Sequence, residues 1–248
     1  MGMSEQRALV TGGSRGIGRA IALALSAQGY EVTIMGRSEK TLAQAIAEGV
    51  ARKSLAVDVT DEAALRQAVA ESGPYRVLIN NAGAAASAPL AATDLALVRQ
   101  MMAVNLESAF TATRAALPGM LKLGAGRIVN VASIAGLKGY AYVSAYCAAK
   151  HAVIGMTKAL AAELVKTGIT VNVLCPGYTD TDLITNAADA IAKKTGRGAA
   201  EAIGHFAKTN PSGRLITPEE VANAALWLCS DGASAVTGQA ITIAGGDP

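Results

Sequence analysis

At 248 residues, 51% of them apolar, the chain has material for one sizeable core, and its net charge of +3 is not gathered into the basic stripe that nucleic acid binding needs. No apolar run approaches the roughly 20 residues that cross a bilayer, so no membrane partner is expected. Cys147, Cys175 and Cys229 are widely separated, without metal or redox spacing, and a strand begins by about residue 7 with no room for a leader; a reduced, cytoplasmic setting is expected. Arg7–Thr11 reads as a buried strand running straight into Gly12-Gly13-Ser14-Arg15-Gly16-Ile17-Gly18. A helix over Arg19–Gln28 follows, closed by Gly29, then a strand over Glu31–Met35. Thr41–Glu48 is a predicted helix, Ser54–Val57 a strand, and Asp61–Ala70 a helix opened by Thr60 as cap. Val77–Ile79 forms the fourth strand and leads into Asn80-Asn81-Ala82-Gly83. A long helix, broken or bent in places, is predicted over Asp94–Leu117. The remaining elements are a strand at Arg127–Ala132, a helix at Tyr146–Lys166, a strand at Thr170–Leu174, a helix at Pro218–Leu228 and a strand at Gln239–Ile243. Strands alternating with helices predict a single doubly wound α/β domain with a seven-stranded parallel sheet covered on both faces. Residues 177–214 break the rhythm as a weakly patterned helical insertion, suited to a substrate loop.

In an open parallel sheet, ligands bind outside the carboxyl ends of the strands, and the unusual residues of this chain fall there. They are the glycine loop after strand one, Arg37 after two, Asp58 after three, Asn80-Asn81-Ala82-Gly83 after four, Ser133 after five and Pro176-Gly177 after six. A glycine turn between a strand and a helix lets backbone N–H groups approach a phosphate at the positive helix end. The spacing of Gly12, Gly16 and Gly18 is G-x-x-x-G-x-G, and its place after the first strand of a Rossmann-type alternation points to a dinucleotide. The second strand ends in Met35-Gly36-Arg37, with no carboxylate before Glu39. Arg37 and Arg15 together could clamp a ribose 2′-phosphate, which favours NADP(H); binding of NAD(H) as well stays open, and the plainer reading is two solvated arginines.

Ser133 to Lys150 carries the chemistry. Tyr146 and Lys150 are four residues apart and share one face of a helix. An ammonium there is expected to favour the phenolate and lower the tyrosine's pKa, making it a proton donor and acceptor. Tyr140 and Tyr142 have no lysine four residues on and are expected at the rim of the pocket. His151 points about 100° away from Lys150 around the helix and suits packing. Cys147 suits a small buried hydrophobe and His205 a surface residue, and no cluster supports a metal.

Thr11-Gly12-Gly13-Ser14-Arg15-Gly16-Ile17-Gly18, Asp58-Val59, Asn80-Asn81-Ala82-Gly83, Asn105, Ser133, Tyr146-x-x-x-Lys150 and Pro176-Gly177 together resemble the short-chain dehydrogenase/reductase family over practically the whole chain. The resemblance implies an oxidoreductase interconverting a carbonyl and a secondary alcohol. Tyr146 would exchange the proton, Ser133 would polarise the substrate oxygen, Lys150 would hold the nicotinamide ribose and depress Tyr146, and Asn105 would help keep a water in a proton relay. It also implies cofactor contacts from Gly12, Ser14, Arg15, Gly16, Ile17, Gly18 and Arg37. Asp58 and Val59 would meet the adenine, and Asn81 and Gly83 the adenosine ribose. Pro176, Gly177, Thr179 and Thr181 would reach the nicotinamide end and the phosphates.

Gly126–Ser133, Tyr146–Lys150 and Thr237-Gly238-Gln239 are similar to reductases of 3-oxoacyl thioesters, with 3-hydroxyacyl-CoA dehydrogenation as the reverse reaction. Gly124 and Thr167 stand where reductases acting on acyl carrier protein carry arginines, which favours a CoA thioester or a smaller ketone. Lys193, Lys194 and Arg197 could meet CoA phosphates or simply form a solvated helix end. A polyketide-type or xenobiotic carbonyl reductase would share every catalytic residue. A non-catalytic dinucleotide sensor would have no need of the intact Asn105, Ser133, Tyr146 and Lys150 set. The helix after Tyr146 is apolar beyond one stripe and must be covered on more than one side. The resemblance implies a homotetramer through this helix and the one carrying Asn105, with a second contact near the C-terminus, and a dimer is the next alternative.

Overall fold

Short runs of β-branched and aliphatic residues become strands whose side chains alternate between two buried faces. The computed structural model describes residues 6–195 and 198–247. Its strands are β1 (Arg7–Thr11), β2 (Glu31–Gly36), β3 (Lys53–Ala56), β4 (Val77–Asn80), β5 (Gly126–Val131), β6 (Ile169–Pro176) and β7 (Ala240–Ile243). All pairings are parallel, in the order β3-β2-β1-β4-β5-β6-β7. Val10, Ile79 and Val129 enter one core, and their neighbours Leu9, Leu78 and Ile128 enter the other. This explains the unbroken apolar runs in the sequence: with both faces covered, no alternation with polar residues is needed.

The helices are α1 (Gly16–Ala27), α2 (Glu39–Ala47), α3 (Glu62–Ser72), α4 (Leu95–Met102), α5 (Ser108–Leu123), α6 (Ser144–Leu164), α7 (Asp182–Thr195), α8 (Ala199–Thr209) and α9 (Pro218–Cys229). Ile21 and Leu25 of α1, Leu42 of α2 and Val221 and Leu228 of α9 cover the first face. Leu65 and Val69 of α3, Met120 of α5 and Leu164 of α6 cover the second. The chain runs outward from β1 to β2 and β3, then crosses to β4 on the other side of β1. The crevice at that reversal lies between the glycine loop and Asn80–Gly83.

The predicted long helix is two helices joined by a π-turn over Ala103–Glu107, with buried Asn105 inside it. Asn105 Nδ2 donates to Met101 O at 3.0 Å, the carbonyl that a regular α-helix would pair with the backbone N–H of residue 105. The helix cap expected at Thr60 is instead Asp61, which accepts from Ala64 N at 3.0 Å. Thr60 turns back to the Asp58 carboxylate with both its N–H and its hydroxyl.

The insertion holds α7 and α8 where a single weak helical segment was expected. Buried Asn210 closes its base: Nδ2 donates to the carbonyls of Tyr178 (3.0 Å) and Arg214 (2.8 Å), and Oδ1 accepts from Tyr178 N at 3.2 Å. Among the described residues, no helix is long and apolar enough to cross a membrane.

Candidate active site

The glycine loop is held by its neighbours before any ligand is considered. Gly12 N donates to Met35 O at 2.7 Å, and the Asn81 side-chain amide donates to the carbonyls of Thr11 (3.0 Å) and Gly12 (3.2 Å). Thr11 Oγ1 accepts from the backbone N–H groups of Asn81 and Ala82, both at 3.0 Å. The Asn81 amide nitrogen therefore fastens β1 to β4 at the edge of the glycine loop. Gly12 and Gly16 have φ of 65° and 51°, the region that favours glycine.

Gly18 is demanded by space: a Cβ there would lie 2.3 Å from Gly12 O and 2.4 Å from Asn81 Nδ2. Gly13, whose role sequence reasoning missed, would place a Cβ 2.5 Å from Ile34 Cγ2. Its signal was present in the motif, but the pressing neighbour is on another strand. Ser38, Asp61, Asp94 and Thr217 each cap their helices with a side-chain acceptor, whereas Arg15 gives α1 none. Free N–H groups beside a Cβ-free cradle suit a dinucleotide pyrophosphate.

Around that cradle, Ser14 Oγ accepts from Thr41 Oγ1 at 3.3 Å, and Ile17 packs on the sheet. Arg15 and Arg37 are both exposed. Arg15 reaches Asp182 at 4.0 Å, and Arg37 reaches Asp58 at 3.9 Å. Thr60's backbone and side-chain hydrogen bonds hold the Asp58 carboxyl below the usual range, with Arg37 a lesser contributor. Val59 is buried in the core beside it. Thr181 packs a methyl toward Gly16, 3.2 Å from where a Cβ would be, so the start of the insertion lies over the loop. Pro176 pairs with Ile243, and Gly177 abuts Asn210 and Ala244 too closely for a side chain. Thr179 is buried with its hydroxyl donated to Gly177 O at 3.0 Å, so it shapes the turn.

The proton-bearing groups meet at the end of β5. Ala132 N donates to Leu174 O at 2.8 Å, extending the sheet one residue and fixing where Ser133 begins. The turn Ile134–Gly136 then folds against α6, where a Cβ on Gly136 would come within 2.7 Å of Lys150 O. That contact brings Ser133 beside Tyr146, where the serine hydroxyl favours the phenolate. Lys150 is buried and donates to Val131 O at 2.9 Å, its Nζ 5.6 Å from the Tyr146 ring centre. Gly83 lies between Asn105 and Lys150; a Cβ there would be 2.7 Å from Asn105 Oδ1 and 3.5 Å from Lys150 Nζ. Asn105 also donates to Ala84 O at 2.9 Å. Gly83 thus lies at the Lys150 end of the crevice.

The expected lowering of Tyr146 is reversed. Burial pushes its phenol up to about 12, a rise that the Ser133 hydroxyl opposes, while the Lys150 ammonium donates to a strand carbonyl. The same burial brings Lys150 down to about 8. Cys175 is pushed up to about 11 by burial, leaving it an inert thiol under the site. Cys147 is buried, and exposed His151 places Nδ1 2.9 Å from its own helix's Cys147 O. Tyr142 is exposed at the rim with φ of 68°, while Tyr140 turns inward to Asp247 at 3.1 Å. Lys193 is exposed on α7; the Lys194 side chain and Arg197 lie outside the described residues.

These features agree with the proteins this chain is similar to. The model of the short chain dehydrogenase family matches residues 6–192, and the chain belongs to that family. It is 37% identical to the D-beta-hydroxybutyrate dehydrogenase of Cupriavidus necator, over 98% of both chains. It is also 37% identical to the 3-oxoacyl-acyl-carrier-protein reductase of Escherichia coli, over 99% of this chain and 98% of that one. A crystal structure of actinorhodin polyketide ketoreductase with NADPH superposes with a TM-score of 0.93 at 35% identity, covering 99% of this chain and 98% of that one. The chain is accordingly an oxidoreductase acting on CH–OH and C=O groups.

Proposed function

We propose an NADP(H)-dependent reductase of 3-oxoacyl thioesters, with CoA thioesters as the substrate class. The observation carrying the reaction is the placing of Ser133 beside Tyr146 with buried Lys150 one helical turn on, next to the Cβ-free cradle. The reduced nicotinamide supplies the hydride. Tyr146 gives its proton to the carbonyl oxygen, Ser133 donates a hydrogen bond to that oxygen as charge develops, and the product is a secondary alcohol. Lys150 holds positive charge under the phenol and leads its proton path toward Asn105.

Arg15 and Arg37 support NADP(H), since exposed guanidiniums held only by 4.0 and 3.9 Å ion pairs are free to take a 2′-phosphate. Arg37→Ala is expected to raise KM for NADPH about ten-fold and leave that for NADH within two-fold, the worth of one charge-assisted contact. Equal changes for both cofactors would remove Arg37 from 2′-phosphate recognition.

For the substrate, NADPH oxidation with acetoacetyl-CoA is expected to exceed that with a simple ketone of similar size. Equal turnover ends the thioester assignment. Gly124 and Thr167 in place of arginines speak for CoA over a carrier protein. The stacked Tyr178–Phe206 pair, 4.9 Å between ring centres, favours a second reading, a polyketide-type ketoreductase with a bulky cyclic substrate. A cyclic ketone in the same assay separates the two. A cytoplasmic homotetramer completes the proposal. Exposed Ala148, Gly155, Ala159 and Ala162 on α6, and half-exposed Phe110 on α5, support the assembly, and a sedimentation mass of one chain would exclude it.

A further inference from the structure

After β7 the chain turns through Gly245 and Gly246, with φ of 61° and 100°, and delivers Asp247 back to the segment that follows Ser133. Asp247 is only 7% exposed, and its carboxylate accepts from both Lys138 Nζ and the Tyr140 hydroxyl. Lys138 is less enclosed, with 41% of its side chain accessible and its ammonium 5.5 Å over the Tyr140 ring. The negative charge also acts on Tyr178, the aromatic face that stacks on Phe206. Gly177, one residue before Tyr178, abuts Ala244 of the tail. Three separate pieces of chain, the turn after β5, the segment after β6 and the tail after β7, thus build one wall that begins a few residues beyond Ser133.

A buried carboxylate needs a partner, and here the lysine supplies it at the cost of its own free charge. We propose that the Lys138–Asp247 pair sets the charge preference of the substrate pocket, cancelling the lysine so that carbonyl compounds neutral beside the reacting carbon are taken in preference to carboxylates. The inference rests on the carbonyl-reductase reading. A pair that only tied the tail to the loop would change stability but would not sort substrates by charge.

The test uses two 3-oxo probes of one carbon skeleton, acetoacetate and ethyl acetoacetate, with NADPH, and reads the ratio of their kcat/KM values. Asp247→Asn leaves an uncancelled lysine and is expected to raise the anion-to-ester ratio about ten-fold, the scale of one unit charge acting at short range in a partly wet site. Lys138→Met leaves the carboxylate alone and should lower the ratio by a similar factor. The double variant Lys138→Met/Asp247→Asn restores neutrality and should return the ratio to that of the unaltered enzyme, which also controls for misfolding. A ratio that stays flat across the four proteins, or both rates falling together in each variant, overturns the proposal while leaving the reductase reading intact. Turnover of acetoacetyl-CoA but of neither probe by the unaltered enzyme overturns this proposal alone, and turnover of none of the three overturns the reductase reading with it.

Discussion

Tyr146→Phe is expected to lower kcat for carbonyl reduction by about 10³-fold while leaving NADPH affinity within about two-fold, because only the proton donor is lost. The ring keeps its place: α6 still buries Ala145, Cys147 and Ala149 around it, and Lys150 still bonds to Val131 O. Fluorescence titration with NADPH beside single-turnover rates separates the two effects. Loss of cofactor affinity in step with rate would mean that Tyr146 holds the cofactor and another group moves the proton.

The pH profile adds a second arm to this test. With its phenol up at about 12, Tyr146 keeps its proton throughout the neutral range and is set to donate in carbonyl reduction. Lys150, brought down to about 8, carries its charge below that pH and loses it as pH rises through it. Reduction is therefore expected to hold steady below about pH 8 and to decline above it, tracking the lysine. A decline setting in only near pH 12 would assign the limb to the tyrosine instead.

Gly18→Ala is expected to weaken NADPH binding by roughly 10- to 100-fold, the equivalent of the about 1–3 kcal/mol that overpacking costs. The methyl would meet Gly12 O at 2.3 Å and Asn81 Nδ2 at 2.4 Å, and neither can move alone. Gly12 O is backbone, and the amide is the group that fastens β1 to β4, so relief has to come from shifting the loop itself. Gly29→Ala is the fitting comparison. Gly29 has φ of 85° but open space around it, so it should lose stability without losing cofactor affinity. Isothermal titration of both variants distinguishes occlusion of the cradle from mere backbone strain. If Gly18→Ala binds NADPH as tightly as the unaltered chain, the cradle is not where the pyrophosphate rests.

The readable parts of this molecule are those whose cause lies within a few residues. A strand with both faces buried is a run such as Ala8-Leu9-Val10, a helix stop is Gly29, and a shared helix face is Tyr146 with Lys150, so these were legible. The unreadable parts depend on partners distant in sequence. Gly13 is required by Ile34 on the next strand, Gly136 by the backbone of Lys150, and Asn81 is committed to the glycine loop seventy positions earlier. The π-turn at Asn105 is invisible to helical periodicity, since it comes from a side chain taking a backbone partner's carbonyl. Asp247 gave no signal at all, because a carboxylate near the end of a chain looks solvated until the turn at Gly245 and Gly246 brings it to Lys138.

The amino-acid sequence by itself determined the alternating α/β order, the glycine loop at its first strand end and the Ser133, Tyr146 and Lys150 set, because local patterning and helical spacing dictate them. Only the tertiary structure decided the direction in which Tyr146 titrates. The sequence places an ammonium one helical turn away, but the fold encloses the phenol, and burial then outweighs proximity.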